Sequence, residues 1–213
     1  MFYEIGAVTL LDNTQLTATR MLGQFFALFG ATGVHLPAVA VVGSLLGMHL
    51  ARKKDPWAPE PRLYVVMLAE SLFLSVPLFV LMTVLVRDPT VAAATSSVDW
   101  GMLQKKMVIA VGAGIYEELL FRVVAIALIH TVMKDLLSLP DEASMITAVA
   151  LSSVGFALIH FAGPGNPFSM TKMLFYTVAG VYFAAVYICR GFGIVVGVHT
   201  LYDALVFTKE AMG

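Results

Sequence analysis

Six apolar segments, each bounded by charged residues, proline or glycine, determine what this chain can fold into. A segment inside a bilayer finds no water for its backbone amides and carbonyls, so it must satisfy them internally as a helix. Only 13% of the 213 residues are charged and 59% are hydrophobic, whereas a typical soluble domain is about 25% charged. The sequence therefore predicts an all-α fold, a polytopic transmembrane helix bundle with about six spans.

The first expected span differs in length from the rest. It lies between Arg20 and Arg52 and exceeds the roughly 20 residues that a span needs, so it should tilt or kink near His35–Pro37. Residues 1–20 are expected to form a short N-terminal interfacial helix. No repeat or change of composition divides the chain, so residues 1–213 form a single integral-membrane domain. The other five expected spans are 64–86, 107–133, 144–161, 172–189 and 193–207.

The charges of the loops indicate how the chain is oriented in the membrane, and the net charge indicates which classes of partner it can bind. The basic loop containing Arg52–Lys54 and Arg62 favours a cytoplasmic position for that loop, with both termini outside, although Lys and Arg near the span ends divide six against six. A net charge of −1 gives no indication of nucleic-acid binding. Cys189, the single cysteine, excludes an intrachain disulfide and a multi-cysteine metal site. The expected location is a prokaryotic plasma membrane. The sequence does not indicate an oligomeric state.

Two adjacent acids interrupt the third apolar segment. A charged group inside a membrane helix costs roughly 2.5–3.5 kcal/mol, so Glu117, Glu118 and Arg122 indicate a function. Glu118 precedes Arg122 by four residues, the favourable order for a helical ion pair. Glu117 points about 100° away and has no local partner, which makes it the candidate general base. The alternative is that both acids belong to an ion network that only supports packing.

Two later segments each carry a histidine in a spaced motif. Phe156 and His160 are four residues apart, so the phenyl ring can pack beside the imidazole. His199 and Asp203 are also four apart and can touch, and an acid within a span needs a partner. This second pair could orient the histidine, bind a metal, stabilise an oxyanion or form a purely structural hydrogen bond.

Together these motifs resemble those of the CAAX protease and bacteriocin-processing family, also called CPBP or Abi. The resemblance covers roughly residues 107–207. It implies an intramembrane endopeptidase that hydrolyses a peptide bond of a membrane-associated peptide or protein substrate. The residues that carry it are Glu117-Glu118-x-x-x-Arg122, Phe156-x-x-x-His160 and His199-x-x-x-Asp203.

The resemblance also implies roles for these residues. Glu117 would activate water with help from His160, and His199 with the residue at position 203 would stabilise the tetrahedral oxyanion. Position 203 is often Asn in that family, and an ionised carboxylate cannot donate to an oxyanion. Asp203 must then be protonated or hold His199 as the donor, and we favour the second. The remaining motif residues would support the site: Glu118, Arg122 and Phe156.

No cofactor is expected, and zinc is the alternative. Two histidines and a glutamate could form a three-ligand zinc site with an open position, but the chain has no His-Glu-x-x-His element. A metal-free, glutamate-activated water is therefore favoured. Two functions without proteolysis are also open. One is a catalytically silent bacteriocin-immunity or scaffold protein, and the second is a transporter with a proton relay, for which the expected inverted repeats are not seen.

Overall fold

The computed structural model describes residues 2–11, 17–28, 30, 33, 36–51, 60–85, 99–162 and 167–212, and every regular element within these ranges is helical. The first four helices are α1 (Phe2–Leu10), α2 (Thr17–Leu28), α3 (Leu36–Ala51) and α4 (Pro61–Leu85). Next come α5 (Trp100–Glu118), a π-helical segment (Leu119–Ala125), α6 (Ile126–Thr131) and a second π-helical segment (Val132–Leu136). The last three helices are α7 (Asp141–Ile159), α8 (Met170–Arg190) and α9 (Phe192–Met212).

Four of these helices, α4, α7, α8 and α9, are long and apolar enough to cross a membrane. Their starts agree with the predicted spans within three residues, and only α9 extends well past its predicted end. The prediction of a polytopic α-helical bundle is thus confirmed, and the chain is an integral, multi-pass membrane protein. α1, where an interfacial helix was expected, packs on α5 through a ring contact between Tyr3 and Tyr116 at 5.3 Å.

The prediction of one long first span is wrong. α2 ends at Leu28 and α3 begins at Leu36, so two helices replace the single kinked one. Pro37 lies in the first turn of α3, where a helix does not need the missing N–H. The proline therefore marks a helix start instead of a kink. Arg52 and His35 lie outside the described residues.

The third predicted span is the central part of a longer helical run. This run continues from Trp100 to Leu136 and contains both π-helical segments. A π-helix inserts an extra residue into a turn and is frequent at functional sites. The first of these segments begins directly after Glu118 and contains Arg122, so the irregular turn lies within the acidic motif.

Three glycines allow neighbouring helices of the bundle to pack closely. A Cβ atom at Gly114 of α5 would lie 2.9 Å from the carbonyl oxygen of Val196 and would also collide with the Thr200 side chain. Gly197 on α9 and Gly180 on α8 are equally close to serines of α4 and α7. The close approach at Gly114, one turn before Glu118, places α9 beside the acidic pair.

We expect Gly114→Ala to destabilise the protein by about 1–3 kcal/mol, because the added methyl group pushes α9 away from α5. Thermal unfolding of the purified protein in detergent measures this change. Gly43→Ala is the matched control, since a Cβ atom there meets nothing within 4 Å and alanine favours a helix by roughly 0.5–1 kcal/mol. Equal unfolding temperatures for Gly114→Ala and the wild type would contradict the close packing of α5 and α9.

Candidate active site

The expected ion pair within the acidic motif is present and completely buried. Nε of Arg122 lies 3.0 Å from Oε2 of Glu118, and neither side chain has exposed surface. Arg122 also donates a hydrogen bond to the Gly180 carbonyl at 3.3 Å. Its guanidinium lies over the rings of Phe156 and Phe183, at 4.5 and 5.4 Å from their centroids. A cation on two aromatic faces with a carboxylate partner is a stable buried arrangement, so Arg122 anchors the site.

Glu118 also binds the histidine of α9. Its Oε1 atom lies 2.7 Å from Nδ1 of His199, and the imidazole stacks on Phe183 with centroids 4.6 Å apart and an interplanar angle of 16°. A carboxylate oxygen can only accept, so Nδ1 carries the proton and donates it. The sequence analysis expected Asp203 to hold His199. The structure instead places Glu118 on Nδ1, a contact across 81 residues that no local spacing indicates.

The other ring nitrogen of His199 faces two more acids. Its Nε2 atom lies 3.6 Å from Oδ2 of Asp203 and 4.0 Å from Oε2 of Glu117. Oε2 of Glu117 is buried and has no hydrogen-bond partner among the described residues. A separation of 4.0 Å is too long for a direct hydrogen bond. The two adjacent glutamates thus contact opposite sides of one imidazole.

His160 lies at the end of α7 and contacts a backbone carbonyl and two aromatic rings. Its Nδ1 atom lies 2.8 Å from the Phe156 carbonyl oxygen. The ring stacks on Tyr176 at 4.1 Å, and the Phe156 ring meets it edge-on at 4.7 Å. Because a carbonyl oxygen only accepts, Nδ1 donates, and Nε2 is the acceptor of the neutral ring. The His160 ring is therefore held in one tautomer, with the proton on Nδ1.

Phe156 connects the three motifs. Two further aromatic residues of the site were missed by the sequence analysis. The Phe156 ring contacts His160, His199 and the Arg122 guanidinium. Tyr176 and Phe183, which stack on the two histidines, both lie on α8, between the second and third motifs. The only signal for them was helical periodicity, because the spacing of seven residues puts both on one face of α8.

A zinc site would require three ligands that converge on one point. Among the residues that the structure describes, no three His, Cys, Asp or Glu side chains are arranged to hold a metal ion. The Nδ1 atoms of His160 and His199 are occupied by the Phe156 carbonyl and by Glu118. A histidine that binds zinc through Nε2 commonly donates its Nδ1–H to a carbonyl or a carboxylate, so these two contacts leave the metal-free site a prediction. No step of the proposed reaction passes through a metal.

A family model agrees with the motifs on which the resemblance rests. The model of type II CAAX prenyl endopeptidase Rce1-like proteins matches residues 99–205, half of the chain. This range begins at the N-cap of α5 and includes both acids, both histidines and Asp203. No curated protein and no solved structure matches the chain significantly. The chain therefore belongs to the type II CAAX prenyl endopeptidase Rce1-like family and is, at the level of that family, an intramembrane protease.

Proposed function

We propose that the protein hydrolyses a peptide bond of a membrane-associated peptide or protein, using a water molecule that Glu117 activates. The observation that carries this proposal is the position of Oε2 of Glu117, which is buried, has no hydrogen-bond partner in the described part of the chain and lies 4.0 Å from Nε2 of His199. Glu118 is held by Arg122 and His199 and cannot serve as the base. Of the two adjacent glutamates, Glu117 is the one that remains able to take a proton.

In the proposed reaction, Glu117 and His160 act on one water molecule. Water between Glu117 and the substrate gives a proton to the carboxylate as its oxygen attacks the carbonyl carbon, and Nε2 of His160 orients that water as an acceptor. The carbonyl oxygen becomes an oxyanion. Glu117 then passes its proton to the leaving nitrogen as the carbon–nitrogen bond breaks. The products are a carboxylic acid and an amine, so atoms and charges balance.

His199 is the proposed donor to the oxyanion. Glu118 fixes its Nδ1–H, and this role also requires a proton on Nε2. The three carboxylates around the ring would balance the resulting positive charge. An N–H fixed in a dry site stabilises a developing oxyanion more strongly than water does. Asp203, 3.6 Å from Nε2, compensates the charge of the ring and does not itself donate.

We expect the purified protein, reconstituted in liposomes, to cleave a lipid-anchored fluorogenic peptide faster than the same peptide without its anchor, because the site lies among membrane helices. Farnesyl and palmitoyl anchors on one peptide sequence test whether prenylation is needed.

Cleavage should continue in excess chelator. Loss of activity that added zinc restores would contradict the metal-free mechanism, and failure to cleave any anchored peptide would favour the silent immunity or scaffold function.

A further inference from the structure

An apolar groove lies between α4 and α9, on the side of α9 that faces away from the site. Its volume is about 320 Å³. Leu201 and Leu205 line it, and each lies two residues after His199 or Asp203, about 200° around the helix. One helix therefore carries catalytic groups on one face and the wall of this groove on the other.

The walls of the groove suit a hydrocarbon chain. Leu72 and Phe79 form the α4 side, and the α9 side runs from Leu201 to Met212. Leu72 is 47% exposed and Met212 is 70% exposed, so the groove opens outward from two membrane-spanning helices. The stretch of α9 from Leu201 to Met212 rises about 16 Å, close to the thickness of one leaflet, roughly 15 Å. A single acyl chain matches the groove in both polarity and length.

A cation stands at one end of the groove. Lys209 lies in the last turn of α9, and its Nζ atom is 6.0 Å from the centroid of the Phe79 ring. Its neighbour Glu210 is neutralised by Lys106 of α5, with a nitrogen–oxygen distance of 2.8 Å. Lys209 has no carboxylate within ion-pair distance in the described ranges, so this end of the groove keeps a positive charge. A phosphate group complements it.

We propose that this groove binds one anionic phospholipid, with an acyl chain between α4 and α9 and its phosphate on Lys209. Basic pockets between membrane helices recognise anionic headgroups in this way. The bound lipid would pack against the helix that carries His199 and Asp203 and would hold it in place. The proposal does not depend on the protease mechanism, since lipid binding can be measured without a substrate.

The test is thermal unfolding of the purified full-length protein in detergent, titrated with phosphatidylglycerol or phosphatidylcholine that carry identical oleoyl chains. A ligand of the folded state raises the unfolding midpoint, and we expect phosphatidylglycerol to do so at the lower concentration. Lys209→Gln should weaken the apparent affinity for phosphatidylglycerol about fivefold and leave the response to phosphatidylcholine unchanged. Lys105→Gln, which removes an exposed charge at the same end of the bundle, is the matched control and should change the affinity by less than about twofold.

A second variant tests the apolar part of the groove. Ala204→Leu adds side-chain atoms to the groove wall and should abolish the shift in unfolding midpoint caused by phosphatidylglycerol. If this variant does not fold, Lys209→Gln still tests the proposal. Equal shifts with the two lipids would show binding without preference for an anionic headgroup and would overturn the proposal. Equal losses in Lys105→Gln and Lys209→Gln would also overturn it, because the attraction would then be diffuse. An unchanged lipid response together with a raised KM for a prenylated peptide in Lys209→Gln would assign the groove to the substrate instead.

Discussion

Replacing Glu117 by Gln is expected to lower kcat for peptide cleavage about 100- to 10,000-fold, the usual contribution of a general base. The amide has the shape of the carboxyl group but cannot take the proton of the attacking water. Oε2 of Glu117 makes no hydrogen bond to a described residue, so the substitution breaks no hydrogen bond of that atom. The measurement is single-turnover cleavage of an anchored peptide, with thermal unfolding of the same sample.

Glu210→Gln is the matched control for this experiment. It makes the same chemical change on α9, in a partly exposed ion pair with Lys106, and should leave kcat nearly unchanged. Cleavage by Glu117→Gln at the rate of the control would refute the assignment of Glu117 as the base. Loss of cleavage together with a large drop in unfolding temperature would instead assign Glu117 to packing.

Removing the Arg122 cation is expected to have the largest effect on stability. Arg122→Met keeps most of the side-chain volume but leaves Glu118 without its main counter-charge, in a place with no exposed surface. Breaking a buried pair from one side costs about 3–5 kcal/mol, which corresponds to a fall of roughly 6–20 °C in Tm for a chain of this size. The exposed pair between Arg190 and Glu70 supplies a control, because Arg190→Met should change Tm little.

The double variant Glu118→Gln with Arg122→Met isolates the interaction between the two charges. It should be more stable than Arg122→Met alone, since no unpaired carboxylate remains at position 118. It should still cleave peptides poorly, because Nδ1 of His199 has lost its carboxylate partner. The stability changes of Glu118→Gln and Arg122→Met should also be measured separately. If they add up to the change in the double variant, the pair seen here does not contribute to stability.

Contacts within one helix were predictable from the sequence. Four-residue spacing brings Glu118 to Arg122 and His199 to Asp203 wherever the helix lies in the bundle, and both contacts are present. The apolar runs likewise predicted α4, α7, α8 and α9, because the thickness of a bilayer and the need to satisfy backbone groups set their lengths. The break between α2 and α3 was missed, since continuous hydrophobicity does not show where one helix ends.

Contacts between helices required the tertiary structure. The sequence marked both acids but predicted neither that Glu118 would bind His199 nor that Phe183 would stack on that ring. Such contacts depend on how each helix is rotated and how deeply it sits, and these follow from packing at sites such as Gly114. Spacing along the chain therefore determined which charged groups the site contains. Spacing also predicted that Glu118, and not Glu117, pairs with Arg122. Only the packing of α5 against α9 decided that Glu118 also binds Nδ1 of His199 and that Oε2 of Glu117 lies 4.0 Å from Nε2 of the same ring.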